Sequence, residues 1–138
     1  MTTEESHVAA LKRAYRQWHE TRGGSIDTWM ALMAEQVELR SLSDGAPGME
    51  FTNRGHSKDD VLAYLQGLVA DWEMLHFTVD EYIVQGERIV MLGHCGWRHR
   101  KTGKTLETPK ADFWRFRDGQ AIEFYEFYDT AKASGATV

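Results

Sequence analysis

The sequence is poor in the residues that usually announce a mechanism. It has one cysteine, Cys95, in 138 residues. A lone cysteine excludes an internal disulfide and a cysteine-cluster metal site, and it fits a reducing compartment. With two prolines in the whole chain, no proline-rich linker divides it. No apolar run approaches the roughly 20 residues that span a bilayer. No block of like charge occurs, and 16 Lys and Arg against 21 Asp and Glu leave a net charge of −5. Such a balance carries no footprint for nucleic acid or an anionic membrane. His7, His19, His56 and His76 show no metal-ligand spacing, so neither a metal nor another cofactor is expected. The first residues, Met1 to Glu5, are polar and acidic, unlike a secretory leader. A cytoplasmic protein is the expectation.

What the chain does contain is apolar and aromatic material, 42% and 12% of its residues. That is enough for one folded domain over residues 1–138. The first half has helical spacing. Val8, Leu11, Tyr15 and Trp18 recur three and four apart, and Arg22-Gly23-Gly24 ends the run. Ser25 reads as an N-cap for a short helix carrying Ile26, Trp29, Met30 and Met33. Val37 to Leu42 is a predicted first strand. Ser43 to Gly55 is glycine-rich and reads as a loop, with Met49 and Phe51 placed to cover a cavity mouth. Ser57 and Asp60 form a capping-box pattern ahead of a helix with Val61, Leu65, Leu68 and Trp72 on one face. Trp18, Trp29 and Trp72 read as packing.

The second half changes period. Leu75–Gln85, Arg88–Arg100, Lys104–Arg117 and Gln120–Tyr128 are strand-like, separated by Gly86-Glu87, Thr102-Gly103 and Asp118-Gly119. The order predicts an α+β fold in which helices cover the concave face of a long, bent, mostly antiparallel sheet. A conical pocket follows from that geometry.

One stretch, Ala111 to Glu123, carries a local conflict. Alternation puts Asp112 on the same face as Trp114 and Phe116, although apolar surroundings disfavour a carboxylate. Asp112 is therefore either a cavity carboxyl raised in pKa or an edge acid paired with a base. Clean alternation in the last strand turns Phe124, Glu126 and Tyr128 inward; otherwise Glu126 sits at a rim or interface. Counting back from Asp112 puts Trp97 and His99 on the cavity side, whereas counting forward from Gly86 puts His94 there. The disagreement predicts a bulge. Tyr15 either points its phenol at a ligand or is a core tyrosine. Cys95 reads as a small buried hydrophobe.

The segments Thr28–Leu42, Gly55–Leu68 and above all Ala111–Asp129 resemble the nuclear transport factor 2-like superfamily. Asp-Phe-Trp-Arg-Phe-Arg-Asp-Gly-Gln-Ala-Ile-Glu is similar to its paired terminal strands. That superfamily includes ketosteroid isomerases, SnoaL-like polyketide cyclases and limonene epoxide hydrolases, so the fold alone does not fix a reaction. The resemblance implies that Asp112 stands where the isomerases keep a neutral oxyanion-hole aspartic acid and where SnoaL-like cyclases have their acid/base. Tyr15 falls near the isomerases' oxyanion-hole tyrosine. Their general base maps to Ser41, which cannot serve without a partner. The Arg/Asp/Asp set of the epoxide hydrolases is not evident.

Two functions follow as expectations. One is a cofactor-independent isomerase, cyclase or dehydratase acting on a small apolar carbonyl or hydroxylated compound. Asp112, Tyr15 and Glu126 would be catalytic, and Trp97, His99, Trp114, Phe124 and Tyr128 would contact ligand. The other is a non-catalytic ligand-binding or dimerisation module of the same fold. In either case the outward row Phe113, Tyr125 and Phe127 predicts a homodimer through the outer sheet face.

Overall fold

The computed structural model describes all residues, Met1–Val138. Helix α1 (Thr3–Glu20) and the short α2 (Ile26–Leu32) lead into strand β1 (Met33–Ser41). A 3₁₀ turn at Glu50–Thr52 and a three-residue β2 (Gly55–Ser57) precede α3 (Lys58–Asp71). Strands β3 (Trp72–Gln85), β4 (Arg88–His99), β5 (Thr105–Arg117) and β6 (Gln120–Phe127) form the meander, and α4 (Thr130–Ala136) ends the chain. The sheet has six strands in the order β2-β1-β6-β5-β4-β3. All neighbours are antiparallel except β1 and β6, which run parallel. The expected α+β architecture stands. Helices α1 to α3 pack across one sheet face, and the largest buried apolar cluster lies between the two layers.

The local reasons are mostly those of the sequence. Asp118 and Gly119 both have positive φ, 52° and 80°, as the tight hairpin turn between β5 and β6 requires. The Ser57 hydroxyl accepts the Asp60 N–H at 3.2 Å and caps α3. The Asp60 carboxylate, however, takes the N–H of His56 at 2.8 Å, so only half of the capping box forms. The Ser25 side chain makes no cap bond. Two helix assignments are corrected. Met33 opens β1 and Trp72 opens β3. Both follow their helix without a loop, so the spacing alone could not separate the last helical turn from the first strand residue. Helix α4 was not expected; its N-cap Asp129 accepts the Lys132 N–H at 3.0 Å.

The bulge lies on β3 rather than β4. Met74 and His76 oppose the consecutive pair Trp97 and Gly96, and Val79 and Glu81 oppose Gly93 and Leu92. Leu75 and Asp80 are the extra residues, and such insertions bend a sheet. The β4–β5 register is unbroken, with Met91 opposite Asp112. Counting back from Asp112 therefore gives the true facing. His99 is buried and His94 is on the outer side beside Asp80. Also on the outer face, Tyr125 and Phe127 stack at 4.4 Å, with Arg40 over the Tyr125 ring. No helix is long and apolar enough to cross a membrane.

Gly93 lets β3 and β4 meet at the second bulge. A Cβ there would stand 2.1 Å from the Thr78 carbonyl oxygen. Gly93→Ala is expected to cost about 1–3 kcal/mol. Gly135→Ala, in α4 with open space around it, should be neutral or stabilise by roughly 0.5 kcal/mol. Urea unfolding measures both, and equal midpoints for the two variants would contradict the close approach.

Candidate functional site

Strand alternation assembles the site. From β5, Lys110, Asp112 and Trp114 point inward at every second position; from β6, so do Phe124 and Glu126, with Tyr128 just beyond the strand. Asp112 and Glu126 are direct cross-strand partners. The cavity between sheet and helices holds about 100 Å³, and only Thr108, Lys110, Asp112 and Glu126 interrupt its apolar wall. Both carboxyls are buried, Asp112 at 2% exposure and Glu126 at 5%.

A continuous hydrogen-bond chain links them. The Lys110 ammonium donates to Asp112 Oδ1 and, at 3.0 Å, to Glu126 Oε1. The Tyr15 hydroxyl donates to Asp112 Oδ2 at 2.6 Å. Trp114 Nε1–H donates to the Tyr15 oxygen at 2.8 Å. From α3, the Tyr64 hydroxyl donates to Glu126 Oε1 at 2.7 Å. Glu126 Oε2 is the one carboxylate oxygen of the set with no hydrogen-bond partner in the protein.

Burial dominates the electrostatics. It pushes the Asp112 carboxyl above its ordinary range, and Glu126 adds to the rise, against the opposing pull of Lys110 and Tyr15. Burial alone would lower Lys110, but Asp112 and Glu126 outweigh it and hold the amine protonated. Burial and then Asp112 push Tyr15 well up, and burial with Glu126 does the same to Tyr64. Both stay neutral phenols. Burial raises the Cys95 thiol to about 11, which leaves no thiolate for nucleophilic attack at neutral pH. With one proton on Asp112, the ammonium and the two carboxyls are together neutral, the state a low-dielectric wall tolerates best.

The structure brings Tyr15, Asp112, Glu126, Trp97, Trp114, Phe124 and Tyr128 to one cavity. His99 lies on the same face but beyond the cavity wall; it packs edge-on against Trp72 at 4.8 Å, and its Nδ1 accepts the Thr102 N–H. Trp18, Trp29 and Trp72, read as packing, also line the cavity, as do Met49 and Phe51 of the glycine-rich loop. Sequence reasoning missed Lys110 and Tyr64. The signal for Lys110 was available, since the alternation that turns Asp112 inward reaches it two residues earlier. A cation with two carboxylates is thus present after all, with lysine and glutamate in place of an arginine and an aspartate. No cluster of three or more His, Cys, Asp or Glu is arranged to hold a metal ion.

The chain matches the model of the SnoaL-like domain over residues 11–124. In fold it is similar to an NTF2-like protein of unknown function from Burkholderia pseudomallei K96243, at 24% identity and a TM-score of 0.84, covering 100% of this chain and 99% of that one. It is also similar to a protein described as a candidate SnoaL-like polyketide cyclase, from Jannaschia sp. CCS1, at 17% identity and a TM-score of 0.80, covering 99% and 94%. A third similar structure is TerC co-crystallised with polyporic acid, at 18% identity and a TM-score of 0.75, covering 96% and 98%. No curated protein matches the sequence.

Two outcomes test the electrostatics. Tyr15→Phe strips Asp112 Oδ2 and Trp114 Nε1–H of their partner, and is expected to cost about 1–3 kcal/mol in urea unfolding and to raise the Asp112 carboxyl further in a ¹³C titration. The raised carboxyl also ties stability to pH. Its contribution is full below about pH 4, where folded and unfolded forms are both protonated. It is lost as pH rises through the raised value, because the unfolded carboxyl ionises first. The stability difference between the wild type and Asp112→Asn should decline over that window; a difference independent of pH would mean that Asp112 titrates normally.

Proposed function

The chain belongs to the SnoaL-like domain family, within the nuclear transport factor 2-like superfamily, and from that premise we propose that it is an enzyme that moves a proton on a small, mostly apolar carbonyl compound. Glu126 is the base and Asp112 the acid that holds the substrate oxygen. The observation that carries this reading is the unpaired Glu126 Oε2 in the cavity wall, next to a buried carboxyl raised in pKa. Both acid and base are the chain's own.

The serine at the isomerase base position loses its force as an objection. Ser41 and Glu126 are neighbours across the parallel β1–β6 pair. Ser41 itself is engaged with the Tyr128 hydroxyl at 2.7 Å. A carboxylate missing from β1 is supplied one strand over. In the reaction, the C–H bond beside the carbonyl breaks, its proton passes to Glu126 Oε2, and the electron pair moves onto the carbonyl oxygen. The Asp112 O–H holds that oxygen by a hydrogen bond. Return of the proton to another carbon gives the isomer; attack of the enolate on a second carbonyl gives a ring. Tyr15 fixes the Asp112 carboxyl, and Trp114, Phe124 and Tyr128 exclude water. The cyclase name of one structural neighbour supports this chemistry.

A second reading is favoured by the bridge from Lys110 to both acids, which is similar to the Arg/Asp/Asp set of limonene epoxide hydrolases in joining one cation to two carboxyls, though not in residue types. Glu126 would draw a proton from water, Asp112 would give one to the epoxide oxygen, and a diol would form.

Deuterium exchange on simple model ketones separates the readings. Small cyclic ketones incubated with the protein in D₂O should gain deuterium beside the carbonyl, followed by NMR. Glu126→Gln and Asp112→Asn should each slow that exchange by about 10²–10⁴-fold, and Ser41→Asp added to Glu126→Gln should restore part of it. Exchange as fast in Glu126→Gln as in the wild type would sink the proposal, and diol formation from epoxides without ketone exchange would favour the second reading.

A further inference from the structure

We infer that the cavity takes a planar enol or phenol of about one ring, accepts its hydroxyl proton on Glu126 and holds the resulting oxyanion on Lys110. This rests on the acid/base reading above and names the ligand class of that same site.

Lysine has three N–H donors. Lys110 spends one on Asp112 Oδ1 and one on Glu126 Oε1, and the third has no partner in the protein. Lys110 is also the only cation in the cavity wall. Its donor and the free Glu126 Oε2 belong to groups already in contact, at 3.0 Å between Nζ and Oε1. A hydroxyl set between them has an acceptor for its proton and a cation for its oxygen. The O–H bond of the ligand breaks, an O–H bond forms on Glu126, and the electron pair stays on the ligand oxygen. A neutral ligand enters and no net charge is added to the site, so the dry wall is not asked to solvate an extra ion.

The surroundings select for a flat ring. Phe77, Phe124 and Tyr128 stand around the ammonium with centroids at 5.9, 5.8 and 5.9 Å. The cavity of about 100 Å³ is smaller than the roughly 150 Å³ of an apolar cavity that takes benzene, so a single ring is its upper limit and enters only as the wall gives. A fused multi-ring compound exceeds it. The oxyanion is also the form a carbonyl substrate acquires when its neighbouring carbon loses a proton, so the same cation serves the reaction.

The test uses 4-nitrophenol, which is yellow only as the phenolate, at a pH below its own pKa in water. Wild-type protein should turn it yellow saturably. Lys110→Arg keeps the charge and should keep the colour. Lys110→Met should lose the colour and bind roughly 10- to 100-fold more weakly, with circular dichroism reporting whether it is folded. If Lys110→Met does not fold, the wild-type and arginine arms still decide. Binding of the colourless phenol by the wild type, or no binding at all, overturns the inference but leaves the ketone-exchange result for Glu126 standing. Phenolate that persists in Glu126→Gln overturns the role of Glu126 as proton acceptor instead.

Discussion

The placement of one ammonium between two buried carboxyls governs the rest of the molecule. Removing ions from water costs several kcal/mol each, even after relaxation, unless each is met by an opposite charge and further hydrogen bonds. Lys110, Asp112 and Glu126 meet those terms only because two helices deliver phenols to them. Tyr15 brings α1 onto Asp112, and Tyr64 brings α3 onto Glu126. The helices are therefore held to the sheet by apolar packing and also by the need to satisfy its buried acids. Architecture and site answer to the same constraint, and a change to either phenol acts on both.

Much of this was legible in the chain. Asp118-Gly119 fixed the β5–β6 turn, but the turn alone would set Tyr125 opposite Asp112; an extra residue, Ile122, shifts the register by one and brings Glu126 there. Tyr15 followed from the helical spacing of Leu11, Tyr15 and Trp18. The rest depended on facts that spacing does not encode. Lys110 is a residue type almost never fully buried unless paired, and its pairing spans two strands. The three tryptophans read as core are core, but a cavity wall and a packed core have the same periodicity. His99 has the expected facing and misses the cavity because it lies near the end of β4, against Trp72. The forward count from Gly86 failed for the histidines although β4 carries no inserted residue, and the bulges on β3 left no compositional mark that could have been read.

If Glu126 is the base, as proposed, Ser41 shows how a single-position comparison can mislead. A base is defined by where its oxygen lies relative to the substrate, not by which strand carries it. In a sheet where β1 and β6 are paired in parallel, residues opposite each other share a face and stand about one strand spacing apart. Ser41 and Glu126 are such a pair. The serine does not leave an idle gap. With Ser43 it binds the Tyr128 hydroxyl, which fixes that ring in the wall beside Lys110.

The dryness of the wall then sets what such a site can do. An aspartic acid raised by burial beside a lysine held charged by its neighbours is an arrangement that water would undo, since solvent would return both groups to their ordinary behaviour. The apolar lining offers water few hydrogen-bond partners, and in such a low-dielectric space a charge that develops on a ligand feels Lys110 and Asp112 more strongly than it would at the surface. The same lining bears the cost of burying the acids. In the proposed reaction, proton transfer to Glu126 Oε2 moves a negative charge from a carboxylate that shares Lys110 through Oε1 to a ligand oxygen placed against the free N–H. The charge shifts by a short distance inside a prearranged set of donors, which keeps the reorganisation small.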